Sequence, residues 1–174
     1  MRITRDKLIE AAQSFDDETK DYCLNDCVPT WDNKGLWIYD QPYVLKVGDD
    51  IGSVIFLSTV HTQTANIVYI QRLFTPKQYR KRGHFTELLT QVYKEHFNLG
   101  YHYMQLFYKP AVTIYKQLNF ISLFTTLEGY EYCLQPMLCA DMKHNNQLAI
   151  LNKSCNFYND DVTEYINSMK QKYA

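Results

Sequence analysis

The stretch Pro76-Lys-Gln-Tyr-Arg-Lys-Arg-Gly-His-Phe85 decides how this chain folds. Before it, Ile67–Phe74 is rich in β-branched and aromatic residues and reads as a strand. After it the period changes. Phe85, Leu88, Leu89, Val92, Tyr93, Phe97 and Leu99 recur at steps of three and four, and Thr86, Glu87, Gln91, Lys94, Glu95 and Asn98 fill the other face. This is an amphipathic helix. Four of the ten residues of the turn are cations: Lys77, Arg80, Lys81 and Arg82. Gly83 allows positive φ or a close approach of the backbone to a ligand. A helix start presents N–H groups without acceptors and a partial positive charge. Strand, basic turn and helix start together make an anion site, suited to a phosphate or diphosphate. Several backbone N–H bonds to a charged oxygen, about 1.5–3 kcal/mol each, outweigh a dipole worth roughly 0.3–1 kcal/mol. There is no GxxxxGK[ST] and no GxGxxG, so neither a P-loop NTPase nor a Rossmann dinucleotide site is indicated.

Working outward, Asp6–Gln13 and Asp21–Cys27 read as short helices, and the acidic, Pro-containing stretch to Lys34 as a loop. Leu36–Tyr39 and Tyr43–Val47 flank the hairpin signal Gln41-Pro42, and Ser53–Val60 follows the turn Gly48-Asp49-Asp50. Downstream, Gly100 stands where a left-handed C-cap is wanted. Tyr101–Tyr108 is the next strand, and Pro110 opens a helix expected to run to about Leu118. Phe120–Thr125 and Tyr130–Leu134 are two more strands around Glu128-Gly129, and a final helix is expected from Asp161 to about Lys172. Strands joined through a helix pair in parallel, and hairpin strands pair antiparallel. The expectation is a mixed α/β sheet with helices on both faces.

The 174 residues suit one domain of ordinary size, without repeats or Pro/Gly/Ser-rich linkers. With 46% hydrophobic and 21% charged residues the chain is neither disordered nor collagen-like. The net charge of -1 argues against nucleic acid as the partner. That mean hides a segregation. Residues 1–50 carry six Lys/Arg against eleven Asp/Glu, residues 51–120 eight against two, and residues 121–174 four against six. The positive middle segment fits an anionic ligand. The five cysteines have irregular spacing, no CxxC and no His at ligand distance, so free thiols and no metal site are expected. No apolar run is long enough to span a bilayer, and the charged start lacks the apolar region of a signal peptide. The expected location is cytoplasmic, with no membrane partner.

Two segments resemble a known family. Gln78-Tyr-Arg-Lys-Arg-Gly-His-Phe85 is similar to the cofactor motif [QR]-x-x-G-x-[GA] of the GCN5-related N-acetyltransferases (the GNAT family), with Arg80 in the first place and Gly83 as the middle glycine. Ala111-Val-Thr-Ile-Tyr-Lys-Gln-Leu-Asn-Phe120 resembles the family's downstream A-x-x-[LI]-Y-x-x-x-G-F. The resemblance covers roughly Leu36 to Leu134. It implies a mostly antiparallel sheet with a central, splayed parallel strand pair and helices on both faces. It implies acetyl-CoA as co-substrate, with the pantetheine arm on Leu73, Phe74 and Thr75 and the diphosphate on Arg80, Lys81, Arg82, Gly83, His84 and Phe85. Tyr115 would be the catalytic residue that protonates the leaving CoA thiolate. Phe85 and Asn119 stand where the motifs have small residues, and the strand Ile67–Phe74 lacks the carboxylate that many members use as a base.

The function so implied is acetyl transfer to a primary amine by direct attack on the thioester. The acceptor, a small-molecule or peptide amine, would meet Asp16–Lys34 and Thr125–Tyr130, where Asp16, Asp17, Glu18, Asp21, Asp26 and Asp32 favour a cation. A catalytically silent CoA-binding sensor or scaffold, and an acetyltransferase of aminoacyl-tRNA, are the rival readings. Residues 1–174 are expected to form one acyltransferase-like domain with a C-terminal extension from about residue 136. That tail covers a sheet edge, completes the acceptor site or forms a homodimer contact; the sequence leaves these three open.

Overall fold

The structure, a computed structural model, describes residues 1–29 and 42–174. The strand expected at Leu36–Tyr39, Gln41 of the hairpin signal, and Asp32 lie outside the described residues. The chain runs through α1 (Arg5–Ala12), α2 (Asp17–Asp21), a π-helical segment (Tyr22–Cys27), β1 (Tyr43–Val47), β2 (Asp50–His61), β3 (Asn66–Phe74) and a 3-10 turn (Lys77–Tyr79). It continues through α3 (His84–Asn98), β4 (Tyr103–Tyr108), α4 (Ile114–Gln117), β5 (Ser122–Thr125), β6 (Glu131–Pro136), α5 (Met142–Leu151) and α6 (Asp160–Tyr173). The six strands are ordered β1-β2-β3-β4-β6-β5, antiparallel throughout except for the central parallel pair β3 and β4. The expected class, a mixed, mostly antiparallel α/β sheet with a central parallel pair, is the one observed.

By packing, the chain divides into two compact units, Met1–Ser58 with Ile70–Val92, and Thr59–Tyr69 with Tyr93–Ala174. In the first unit β1 and β2 form an antiparallel hairpin whose register shifts between Leu45 and Lys46. Leu45 faces Ser53 and Lys46 faces Ile51, so Gly52 is the extra residue of a bulge. A Cβ at Gly52 would lie 2.5 Å from Val47 Cγ2, which explains the glycine. Leu8, Ala12, Phe15, Cys23, Cys27, Val44, Val54, Phe56 and Phe74 close this unit's core. Cys23 and Cys27 are buried free thiols, both pushed up to about 12 mainly by loss of solvent. Such thiols pack as small apolar groups rather than react.

The second unit is built on β4, β5 and β6. Alternation sorts its side chains into two sets. Tyr103, Tyr132 and Leu134 join Tyr158, Val162, Tyr165, Ile166 and Met169 around α6 in one apolar cluster. Gln105, buried among them, accepts from Tyr132 Oη at 2.9 Å and from Tyr165 Oη at 2.6 Å. Met104, Leu106 and Tyr108 pair with Gln135, Cys133 and Glu131 of β6 and belong to the opposite set. Gln135 carries that face to α5: its Nε2 donates to Asn146 Oδ1 at 2.9 Å. Asp161 at the start of α6 accepts from the Thr64 hydroxyl at 2.8 Å, and Asn159 caps the helix through the N–H of Val162.

Candidate functional site

In the first unit, β3 ends at Phe74 and α3 starts at His84, and the residues expected to hold a diphosphate lie at this junction. Two residues of the connection take left-handed backbone, Lys81 at φ 62° and Gly83 at φ 81°. Left-handed residues alternating with right-handed ones turn successive N–H groups toward a common side, a shape that receives anions. For glycine this conformation carries no steric cost, whereas for lysine it carries about 1–2 kcal/mol. The loop carries that strain immediately before a helix N-terminus. Within α3, the N–H groups of its first turn have no intrahelical acceptor until Glu87, which bonds Gly83 O at 2.9 Å. Arg80, Lys81, Arg82 and Gly83 are exposed, and His84 and Phe85 are half-buried.

The loop's side chains do different things. Arg80 folds back: its Nε donates to Thr75 O at 2.9 Å, and its Nη2 lies 3.6 Å from Glu18 Oε1. Lys77 Nζ lies 2.6 Å from Glu18 Oε2. Its hydrogen bond and charge hold the Glu18 carboxyl below the usual carboxylate range. Asp16 caps α2 through the N–H of Thr19 at 3.0 Å and also accepts the N–H of Lys77 at 2.8 Å. Desolvation raises its pKa, but bonds from Lys77 N–H and from the Thr19 hydroxyl and N–H outweigh this, leaving it at about 2. Arg82 lies over the Tyr79 ring, 6.0 Å from its centroid, and Tyr79 Oη donates to Asp50 at 2.5 Å. Thr75, the expected pantetheine contact, shares a 2.6 Å hydroxyl bond with Ser53. Arg80 and Lys77 therefore brace the loop, and Lys81 and Arg82 remain beside the left-handed backbone.

Tyr115 belongs to the second unit. It sits on the single-turn helix α4, buried, its ring stacked on Tyr108 at 4.8 Å and edge-on to Phe120 at 6.0 Å. Burial pushes its phenol well above the ordinary tyrosine range. The group is thus neutral, with its proton in place, throughout the physiological range. Asn119 takes φ 61°, the conformation for which glycine is the usual choice, and Phe120 N bonds Tyr115 O at 3.0 Å to close the turn. The helix expected from Pro110 is shorter than its sequence suggests, because residues 110 and 111 are turn and the helix opens only at Ile114.

Leu73 and Phe74 end β3, Thr75, Arg80, Lys81, Arg82 and Gly83 lie in the connection that follows, and His84 and Phe85 open α3, all within the first unit. Two of the six acids expected to line an acceptor rim do something else. Asp16 and Glu18 are engaged with Lys77 and Arg80. Charge counting along a chain cannot register such pairing. The amides Gln135, Asn145 and Asn146, all fully buried, had no sequence signal that distinguishes them from surface residues. Among the described residues no group of three or more His, Cys, Asp or Glu could hold a metal, and no helix is long and apolar enough to cross a membrane.

No protein-family model matches the sequence, and no curated protein sequence matches it. Solved structures do. The complex AtaTR bound with acetyl-CoA is 18% identical, with 86% of this chain and 96% of that one covered at a TM-score of 0.58. The ribosomal-protein-S18-alanine N-acetyltransferase from Escherichia coli is 15% identical, with 80% and 94% covered at 0.56. A Desulfovibrio desulfuricans protein assigned to the GNAT family of acetyltransferases is 14% identical, with 74% and 86% covered at 0.50. Strand order, the central parallel pair and the extent of these matches together give one result: the chain has the fold of the GCN5-related N-acetyltransferases.

Proposed function

We propose that this chain is an acetyl-CoA-dependent N-acetyltransferase acting on a primary amine, with residues 1–174 working as one catalytic domain. The observation that carries the reading is the connection after β3. Left-handed Lys81 and Gly83 stand directly before a fifteen-residue helix, exposed, and the carboxylates that reach the loop are engaged elsewhere on it, Asp16 with the N–H of Lys77, Glu18 with Lys77 and Arg80, and Asp50 with Tyr79. A diphosphate needs N–H groups converging from such a backbone, positive charge nearby and no anion in the way. In this reading backbone of Leu73, Phe74 and Thr75 holds the pantetheine arm, and Arg80 to Phe85 hold the diphosphate.

The chemistry assigned to the chain is short. A neutral amine attacks the thioester carbonyl carbon, a C–N bond forms and the C–S bond breaks. The Tyr115 phenol gives its proton to the departing sulfur, the acylated nitrogen loses one to solvent, and the phenol is reprotonated from water. General acid assistance of this kind contributes about 10²–10⁴-fold. Burial keeps Tyr115 in the form that can donate. β3 bears no carboxylate, so the amine's proton leaves by water or by a group off that strand.

That same absence favours a second reading, a domain that binds CoA without turning it over. Calorimetric titration with acetyl-CoA and CoA release over an amine panel separate the two. Binding with release supports the enzyme, binding without release on any acceptor supports the silent domain, and no binding discards both. The net charge supports a small or peptide amine over nucleic acid. Aminoacyl-tRNA carries a primary amine, and salt-sensitive tRNA binding would move the acceptor to that class.

A further inference from the structure

α5 belongs to the C-terminal extension, yet its buried face is not apolar. Asn145 and Asn146 are both fully buried there, between Met142 and Ala149. Buried amides are stable only when their donors and acceptors are matched, and these are. Asn145 is spent on the extension itself. Its Oδ1 receives the N–H groups of Leu138 at 2.6 Å and Cys139 at 3.3 Å, and its Nδ2 donates to Pro136 O at 2.8 Å. Asn146 reaches elsewhere. Its Nδ2 donates to Leu118 O at 2.8 Å, and its Oδ1 accepts from Gln135 Nε2 at 2.9 Å and from Asn145 Nδ2 at 3.0 Å. Gln135, also buried, accepts the N–H of Ile121 at 3.1 Å through Oε1 and directs Nε2 to Asn119 O at 3.5 Å.

Leu118, Asn119 and Ile121 form the turn that ends α4, the helix carrying Tyr115. Leu118 O is among the last carbonyls of a helix, which lack partners inside it. A four-residue helix followed by a left-handed Asn119 has little of its own to fix its orientation. We infer that Asn146, with Gln135, is a positioning residue for Tyr115: the extension locks the turn behind the proton donor through a buried amide pair. The inference rests on the acetyltransferase reading for its consequence in catalysis, but the geometric part stands by itself. It also assigns α5 a task, as a brace for α4.

The test uses the full chain with tyrosines carrying ¹³C at the ζ position, the Tyr115 signal being assigned through Tyr115→Phe. Asn146→Leu keeps the forked outline of the side chain, at a somewhat larger volume, and removes every bond of the amide. The expected result is a displaced or split Tyr115 signal, with acetyl-CoA affinity within about threefold of wild type and kcat lower by up to about 100-fold. A Tyr115 signal coincident with wild type, or a lowered melting temperature with unchanged kcat, overturns the inference. Should Asn146→Leu fail to fold, Asn146→Asp keeps the size and Oδ1, withdraws the donor to Leu118 O, and is read the same way. If wild-type protein binds no acetyl-CoA, the enzyme reading fails while the Tyr115 signal still decides the positioning.

Discussion

Asp16 accepts the backbone N–H of Lys77 at 2.8 Å while the same carboxylate caps α2 through Thr19, so one side chain joins the N-terminal helices to the basic loop. Its folded pKa of about 2 lies below the ordinary 3.8. A depressed carboxyl stabilises the fold above its unfolded pKa, and that contribution is lost as pH falls from about 4 toward 2. Asp16→Ala should cost about 1 kcal/mol at neutral pH, the usual worth of such a cap in a solvent-screened setting. Urea denaturation should show the two proteins converging between pH 4 and 2. A gap that stays constant across that range would contradict the assignment.

Gly83 has φ 81°, and a Cβ there would meet no atom within 4 Å. The penalty for Gly83→Ala is thus conformational, about 1–2 kcal/mol. If the loop holds the diphosphate, the variant relaxes away from the left-handed shape and acetyl-CoA binding weakens by about tenfold or more, corresponding to roughly 1.4 kcal/mol. Calorimetry reads this directly, and an unchanged affinity would remove the loop from the site.

Tyr115→Phe leaves the stacking on Tyr108 in place and removes only the hydroxyl. The expected outcome is a kcat reduced by about 10²–10⁴-fold with acetyl-CoA affinity retained. Because burial raises this phenol's pKa, the wild-type rate should show no alkaline loss assignable to Tyr115 below pH 10. A descending limb that vanishes in Tyr115→Phe would overturn that.

Gly52→Ala forces a methyl group to 2.5 Å from Val47 Cγ2, and a β-branched neighbour has little room to yield. The bulge should be destabilised by about 1–3 kcal/mol. Val47→Ala in the same protein should recover part of that loss, and a double-mutant cycle of denaturation midpoints measures the coupling.

Among the described residues, the strands and the long helix are legible because their apolar residues keep the period of the element that buries them. β1 falls at Tyr43–Val47 and α3 at His84–Asn98, within a residue of the pattern, and Gly100 and Asn119 both take the left-handed backbone their positions asked for. α5 was not legible for an equally definite reason. Its inward stripe, Met142, Asn145, Asn146 and Ala149, has ideal helical spacing, but its centre is amide instead of hydrocarbon. Hydropathy patterning sees only a mixed segment there. α2 is entirely polar, and in the sequence its capping aspartate cannot be told from the other acids of an acidic rim. The basic turn between β3 and α3 is legible in the sequence. The pairing of Lys77 and Arg80 is not, because it depends on Glu18, far away in sequence.

Trimming the chain at the end of β6 would remove more than two helices. The carbonyl of Leu118 and the amide of Gln135 would lose the partner that Asn146 supplies, and both would be left buried without it or be forced to open to water. A piece that keeps these bonds must therefore extend past Asn146, and a polypeptide shortened to the sheet alone should be recovered as a loosened, dye-binding species.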